Sequence, residues 1–221
     1  MSAPVRFSAL VAVLAVLGGF CFGQLRVTMP VQVEITPGVS DKALRDFRAL
    51  AERIDPRSLG FKSREEARAA TLGTPLRVFM VRLDRLKAWD QAADAAGLLS
   101  GGDTAFYPLN IGAEARSMIV LDKIGATWRL NGFGWTPVIQ RLDRQRRSLT
   151  AGTGVATTAF FVVRVPAFNI YFLGRQAPEG LLLTSLFDHP DLGIRAGLTV
   201  PAARAIALVL PAARRHTGLP G

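Results

Sequence analysis

The sequence predicts an α+β fold, an antiparallel sheet with helices packed on one face. Three observations predict it. Apolar residues mark several short, strand-length stretches, with period-two alternation along 27–35. Those stretches come in groups that each end at a helix, rather than alternating one by one with helices as a parallel doubly wound sheet requires. The groups also echo one another: VFMVRLDRL at 78–86 and FFVVRVPAF at 160–168 align with Phe79 on Phe161, giving two candidate strand-strand-strand-helix units.

In chain order, Val27, Met29, Val31, Val33 and Ile35 alternate with polar residues and predict a half-buried strand, with Pro30 marking an edge. Pro37-Gly38 breaks it. Ser40 or Asp41 can cap a helix whose Leu44, Phe47, Leu50, Ala51 and Ile54 recur three and four apart, and Asp55-Pro56 stops it. SREE at 63–66 has the form of a capping box, with Ser63 accepting from the backbone and Glu66 reaching back, so a short helix to about Leu72 is expected before Gly73. A strand over 76–83 follows, then a helical turn through Leu86 and Trp89, a loop at LLSGGDT (98–104), and strands near 105–110, 115–122 and 126–131. Thr136-Pro137 opens the next helix, because proline at a first helical position loses no needed N–H.

TAGTGVATT at 150–158 is the longest run of small, flexible residues outside the leader and is expected to be a linker. Beyond it come strands near 159–165, 169–174 and 180–187, a DHPD turn at 188–191, a short strand near 192–196, and a helix opened by Thr199 and Pro201 that runs to about Arg214. The expected organisation is therefore a leader at 1–23, an N-terminal strand and helices at 24–75, a first unit at 76–149, the linker, and a second unit at 159–221. Duplication of one unit, and independent use of Phe and Val by buried strands, both account for the echo. On duplication, extra residues in the first unit fall around 91–108, where insertion into a loop costs little.

At the N-terminus Arg6 precedes an uncharged, mostly apolar run, Phe7 to Gly23. As a helix it would rise roughly 25 Å, short of the roughly 30 Å hydrocarbon core. A cleaved signal peptide is expected, with Cys21 and Gly23 as the small residues before the cut. The alternatives are an inner-membrane anchor through 7–23 and lipidation of Cys21, against which Phe20 counts. Cleavage would remove the chain's single cysteine, leaving a chain without disulfides that is stabilised by its core alone. The protein is basic, with a formal charge of +10, and only Lys42, Lys62, Lys87 and Lys123 of its basic residues are lysines. Such arginine dominance fits GC-rich codon usage, and the charge draws the protein to anionic surfaces without choosing among them.

Motifs for chemistry are sparse. Gly132-x-Gly134 lacks the third glycine of a dinucleotide turn, and Pro137 removes an N–H that would hold phosphate. Trp135 beside it is a candidate aromatic contact for a sugar or peptide. The helix VIQRLDRQRRSL sets Val138, Ile139, Leu142 and Leu149 on one stripe; Arg141, Arg144 and Arg147 project away and Arg146 flanks it, a candidate surface for an anionic partner. At about 1 kcal/mol per arginine near an anionic bilayer, four give about millimolar binding, a weak membrane-surface contact only. The two histidines, His189 and His216, supply no metal-ligand spacing. No serine elbow or zinc-protease helix occurs, and no cofactor, metal or catalytic residue is predicted. Basic and aromatic residues do not interleave on the strands, which disfavours nucleic acid.

The expected function is an exported, periplasmic or secreted, non-enzymatic binding or interaction protein of the bacterial cell envelope. Its partner would be a protein or envelope polymer held on a sheet face or between the two units. The alternatives are an envelope hydrolase or transferase using Asp84, Asp122 and Asp188 with His189, and a membrane-anchored accessory protein with a basic surface helix.

Overall fold

The computed structural model describes residues 38–217. The leader and the strand expected over 26–35 lie outside them. Helix α1 (Val39–Arg53) is followed by α2 (Arg64–Ala69), β1 (Thr71–Leu72), β2 (Leu76–Val81) and α3 (Leu83–Ala88). Then come β3 (Leu99–Ile111), β4 (Glu114–Ile124), β5 (Thr127–Gly134) and α4 (Thr136–Thr153). The second half contains β6 (Phe160–Val165), β7 (Ile170–Ala177), β8 (Gly180–Ser185), β9 (Thr199–Pro201) and α5 (Ala202–Arg215).

All the strands join one sheet in the order β5-β4-β3-β2-β6-β7-β8-β9, with β1 added to β3. Each half is a meander running outward from the centre, and every pairing is antiparallel except β2 with β6. That central pair is parallel, Val78 against Val162 and Phe79 against Val163. The sheet is continuous across the expected boundary at 150–158, and the last turn of α4 occupies the start of that stretch.

The antiparallel α+β class is therefore present, with helices packed against the sheet. Their distribution is richer than one face. Successive side chains of a strand point to opposite faces. On β6, Phe161 and Val163 pack with α3 and α5, whereas Phe160 and Val162 pack with α4. On the α5 side, α1 and α2 also cover β3 to β5 through Phe47, Ala51 and Ala67 against Ala105, Leu109 and Ile119. Among the described helices α4 alone covers the other face, with Ile139 and Leu142 against Leu76, Val78, Phe106 and Met118. The physical reason is that the central strands are apolar at both parities, so a single layer of helices would leave one set in water.

The Phe79 and Phe161 segments are both strands and neighbours, and the two rings meet edge to face at 5.3 Å between centroids. A two-fold axis along the β2–β6 seam is the operation that would superpose two outward-running meanders, and it exchanges the faces of the sheet. Phe79 and Phe161 point to the same face, so their likeness reflects a shared packing duty in one core and not equivalent positions about that axis.

Local departures have local causes. The stretch expected as a loop at 98–104 is largely strand, because Gly101 and Gly102, at φ +91° and +94°, form a bulge opposite Val78 and Phe79 and let β3 continue. The short strand expected near 192–196 is instead a single bridge, His189 with Ile194, after a one-turn helix at Pro190–Leu192. In the capping box the Ser63 Oγ accepts from Glu66 N at 3.2 Å, while the Glu66 carboxylate reaches Lys62 N, one residue further back. Helix α1 has Gly38 at its N-cap, and Ser40 is hydrogen-bonded to Tyr107. Pro201 holds the N-cap position of α5, and Thr199 lies in β9.

Two predictions follow from this packing. A Cβ at Gly174 would lie 2.6 Å from Cε2 of Phe161, so G174A should cost about 1–3 kcal/mol in urea unfolding as Phe161 is forced off its rotamer. G97A meets nothing within 4 Å and should be nearly silent. Separately, burial raises the Tyr107 phenol above its ordinary value of 10.0. A raised acid favours the neutral form, so this stability is complete below about pH 10 and is lost as pH rises beyond it. Y107F should flatten the alkaline fall in unfolding free energy.

Candidate functional site

Helix α4 covers only part of its face, and the uncovered part forms a pocket of about 290 Å³ lined by Thr104, Phe106, Val120, Asp122, Asn131, Gly132, Phe133, Trp135 and Arg164. Its floor is built by register. Thr104 on β3 stands opposite Asp122 on β4, and Asp122 opposite Arg129 on β5, so the three share one face. The Thr104 hydroxyl donates to Asp122 Oδ1 at 2.7 Å, and the Asn131 amide donates to Oδ2. Asn131 reaches the carboxylate because β5 bulges there: Leu121 pairs with Leu130 while Val120 pairs with Gly132.

The wall is Trp135 and Arg164. Trp135 is the N-cap of α4 and adopts the left-handed conformation, φ 53°, ψ 40°, in place of the Thr136 cap that the sequence suggests. Its carbonyl accepts from Val138 N and Ile139 N, starting the helix. Left-handed backbone is costly for a bulky residue. Ring contacts hold it there: Trp135 meets Phe106 at 5.9 Å and Tyr171 at 6.5 Å, both edge to face. The Arg164 guanidinium lies 5.0 Å from the Trp135 ring centre and 4.9 Å from that of Tyr171. Cation–π attraction suits arginine, whose planar, weakly hydrated head group stacks on rings. Arg164 makes no ion pair with any described residue, and its Nε is shielded from solvent without a hydrogen-bond partner. Trp135 keeps 44% of its surface exposed.

Of the residues that sequence reasoning singled out, Trp135 and Asp122 share this pocket. Asp84 is exposed and bound to Arg82, which holds its carboxyl below the usual range. Asp188 accepts from Ala196 N at 2.9 Å, His189 sits in its turn, and neither lines the Asp122 pocket. Among the described residues no group of His, Cys, Asp and Glu is placed to hold a metal ion. Thr104, Asn131 and Arg164 were missed. The available signal was Arg164 itself, a charge where Phe160 and Val162 set an apolar parity.

The arginines of α4 divide. Arg146 is buried and leaves the proposed surface: it bonds Asp143 at 3.2 Å and donates to the Thr74 carbonyl at 2.9 Å. Burial pulls its guanidinium below the ordinary value, opposed by the Asp143 hydrogen bond. Arg147 pairs with the same carboxylate at 3.0 Å and donates to the Ala113 carbonyl. Arg141 lies 4.9 Å from the Phe187 ring centre and donates to the Leu186 carbonyl. Only Arg144 of the four is exposed without a hydrogen bond or ion pair to a described residue. The stripe Val138, Ile139, Leu142 concealed a buried Asp143, around which two of the arginines gather.

Comparison with protein-family models, with curated proteins and with solved structures finds no match to this chain. The Asp143 cluster carries a stability prediction. D143A leaves the buried Arg146 charge uncompensated and should cost about 3–5 kcal/mol in denaturant unfolding, whereas the apolar pair D143L/R146M should recover much of the loss.

Proposed function

We propose that the protein is an exported, non-enzymatic binding protein of the bacterial cell envelope that receives a polar ligand in the Trp135 pocket. One observation carries the proposal: a guanidinium held over two aromatic rings, without an anionic partner among the described residues, faces the pocket floored by Asp122, Thr104 and Asn131. Ligand pockets combine an apolar wall with a few oriented polar groups, and the indole, guanidinium and carboxylate here are that combination.

A binding role suits the floor better than a catalytic one. Among the described residues Asp122 is the only carboxylate lining the pocket and no histidine joins it, and each of its oxygens already accepts a hydrogen bond. A general acid–base pair needs a second group within reach of the same bond. Support for export is the uncharged run from Phe7 to Gly23 after Arg6, and N-terminal mass spectrometry of the cell-extracted protein decides whether it is removed. Among the described residues no helix is long and apolar enough to cross a membrane.

The binding site is tested by titrating the protein with soluble oligosaccharide fragments of the cell envelope, following tryptophan fluorescence and calorimetric heat. W135G is the informative variant, since glycine adopts the left-handed backbone without strain and the helix start is kept. It should lower affinity at least about tenfold, about 1.4 kcal/mol, and its thermal unfolding should stay cooperative, relief of the backbone strain offsetting part of the lost ring packing. Equal binding by W135G and wild type would place the site elsewhere.

A further inference from the structure

Building on that binding role, we propose that the pocket selects a hydroxylated ring bearing one carboxylate, an acidic sugar residue, with Arg164 reading the carboxylate and the Asp122 floor reading the hydroxyls. The two sides of the pocket ask for different groups. Arg164 offers donors only and makes no hydrogen bond to a described residue; its position is fixed by Trp135 and Tyr171 and not by a counter-ion. A guanidinium in a fixed plane pairs best with a planar carboxylate, through two parallel hydrogen bonds.

The opposite side accepts. Each Asp122 oxygen has taken one proton donor, Oδ1 from Thr104 and Oδ2 from Asn131, and an ionised carboxylate has about four lone-pair sites. What remains there suits hydroxyl donors. The exposed part of Trp135 adds a π-surface on which the C–H groups of a sugar ring can lie, the rings being negative on their faces.

Competing ligands fit less well. A dianionic phosphate would bring a second negative charge into the small space that Asp122 already occupies. A cation would face the charge of Arg164, unpaired among the described residues. A neutral sugar would leave the guanidinium unmatched, a loss once water is displaced from it. The volume, about 290 Å³, falls just under the usual range of ligand pockets, about 300–1,000 Å³, and suits one ring of a chain.

The experiment uses the whole protein at fixed ionic strength, with D-glucuronate, D-glucose and glucose 6-phosphate as probes, read by calorimetry and by ligand-observed NMR. Glucuronate should bind at least about tenfold tighter than glucose, and tighter than glucose 6-phosphate. R164Q should bring the glucuronate-to-glucose ratio close to one. R164K keeps the charge without the planar fork and should recover only part of the preference. R204Q removes the same charge from α5 on the opposite face and should leave the ratio intact. A glucuronate oligosaccharide tighter than the monomer points to a polymer as the source, and equal affinity to a free sugar acid.

Equal binding of glucose and glucuronate, with W135G still deleterious, would overturn the carboxylate preference and leave the pocket standing. Stronger binding of glucose 6-phosphate, or of an acidic peptide such as Gly-Asp, would overturn the sugar-acid class. A loss of preference in R204Q equal to that in R164Q would show general charge attraction in place of recognition. Binding of none of the probes or envelope fragments would overturn both the ligand class and the pocket.

Discussion

The parallel pairing of β2 with β6 is the constraint on which the rest of the structure depends. Each meander alone would present its innermost strand as an edge, with a row of unpaired N–H and C=O groups and apolar side chains at both parities. Joined, the two strands satisfy each other and become the centre of one sheet, buried on both faces. Two layers of helices are then required, one on each side of the seam. Helix α4, which belongs to the first meander, covers its side by packing on strands from both, from Phe106 and Met118 to Phe160 and Leu173.

The pocket is a by-product of that cover. One helix cannot hide a face this wide, and the part left open is where the row from Thr104 to Asp122 becomes polar and where β6 places Arg164. A charge next to a closed core needs a partner. Here the aromatic rings of Trp135 and Tyr171 serve, leaving the guanidinium electrostatically supported but not neutralised. The left-handed turn at Trp135 starts the covering helix and sets the indole against Phe106, Tyr171 and Arg164, so strain at one residue serves both fold and site.

Much of this was legible in the sequence because it is encoded locally. The short apolar run over 159–165 gave β6, the Ser63 capping box gave α2, and the Thr136-Pro137 pair gave the start of α4 to within one residue. What could not be read is set by distant partners. LLSGGDT has the composition of a loop, and only the facing strand turns its two glycines into a bulge. The arginines of α4 have the spacing of a solvated face, yet Thr74, distant in sequence, offers a carbonyl that draws Arg146 inward beside Asp143. Trp135 and Asp122 were both noticed, but for different roles. Their meeting depends on Arg164, whose strand parity carries meaning only once the seam is known.

The seam also bears on how the chain reaches this state. Val78 and Val162 lie far apart in sequence, and the whole first meander with α4 intervenes before they can touch. Contacts of such long sequence separation repay their loop-closure entropy only late and belong to slow folding. Hairpins such as β3–β4 and β7–β8 close over short turns and can form on their own. The order of events is thereby constrained: local ribbons first, their docking last. Until that docking the inner edges of both ribbons stay open, and it is in this interval that the chain is most exposed to pairing with the wrong strand.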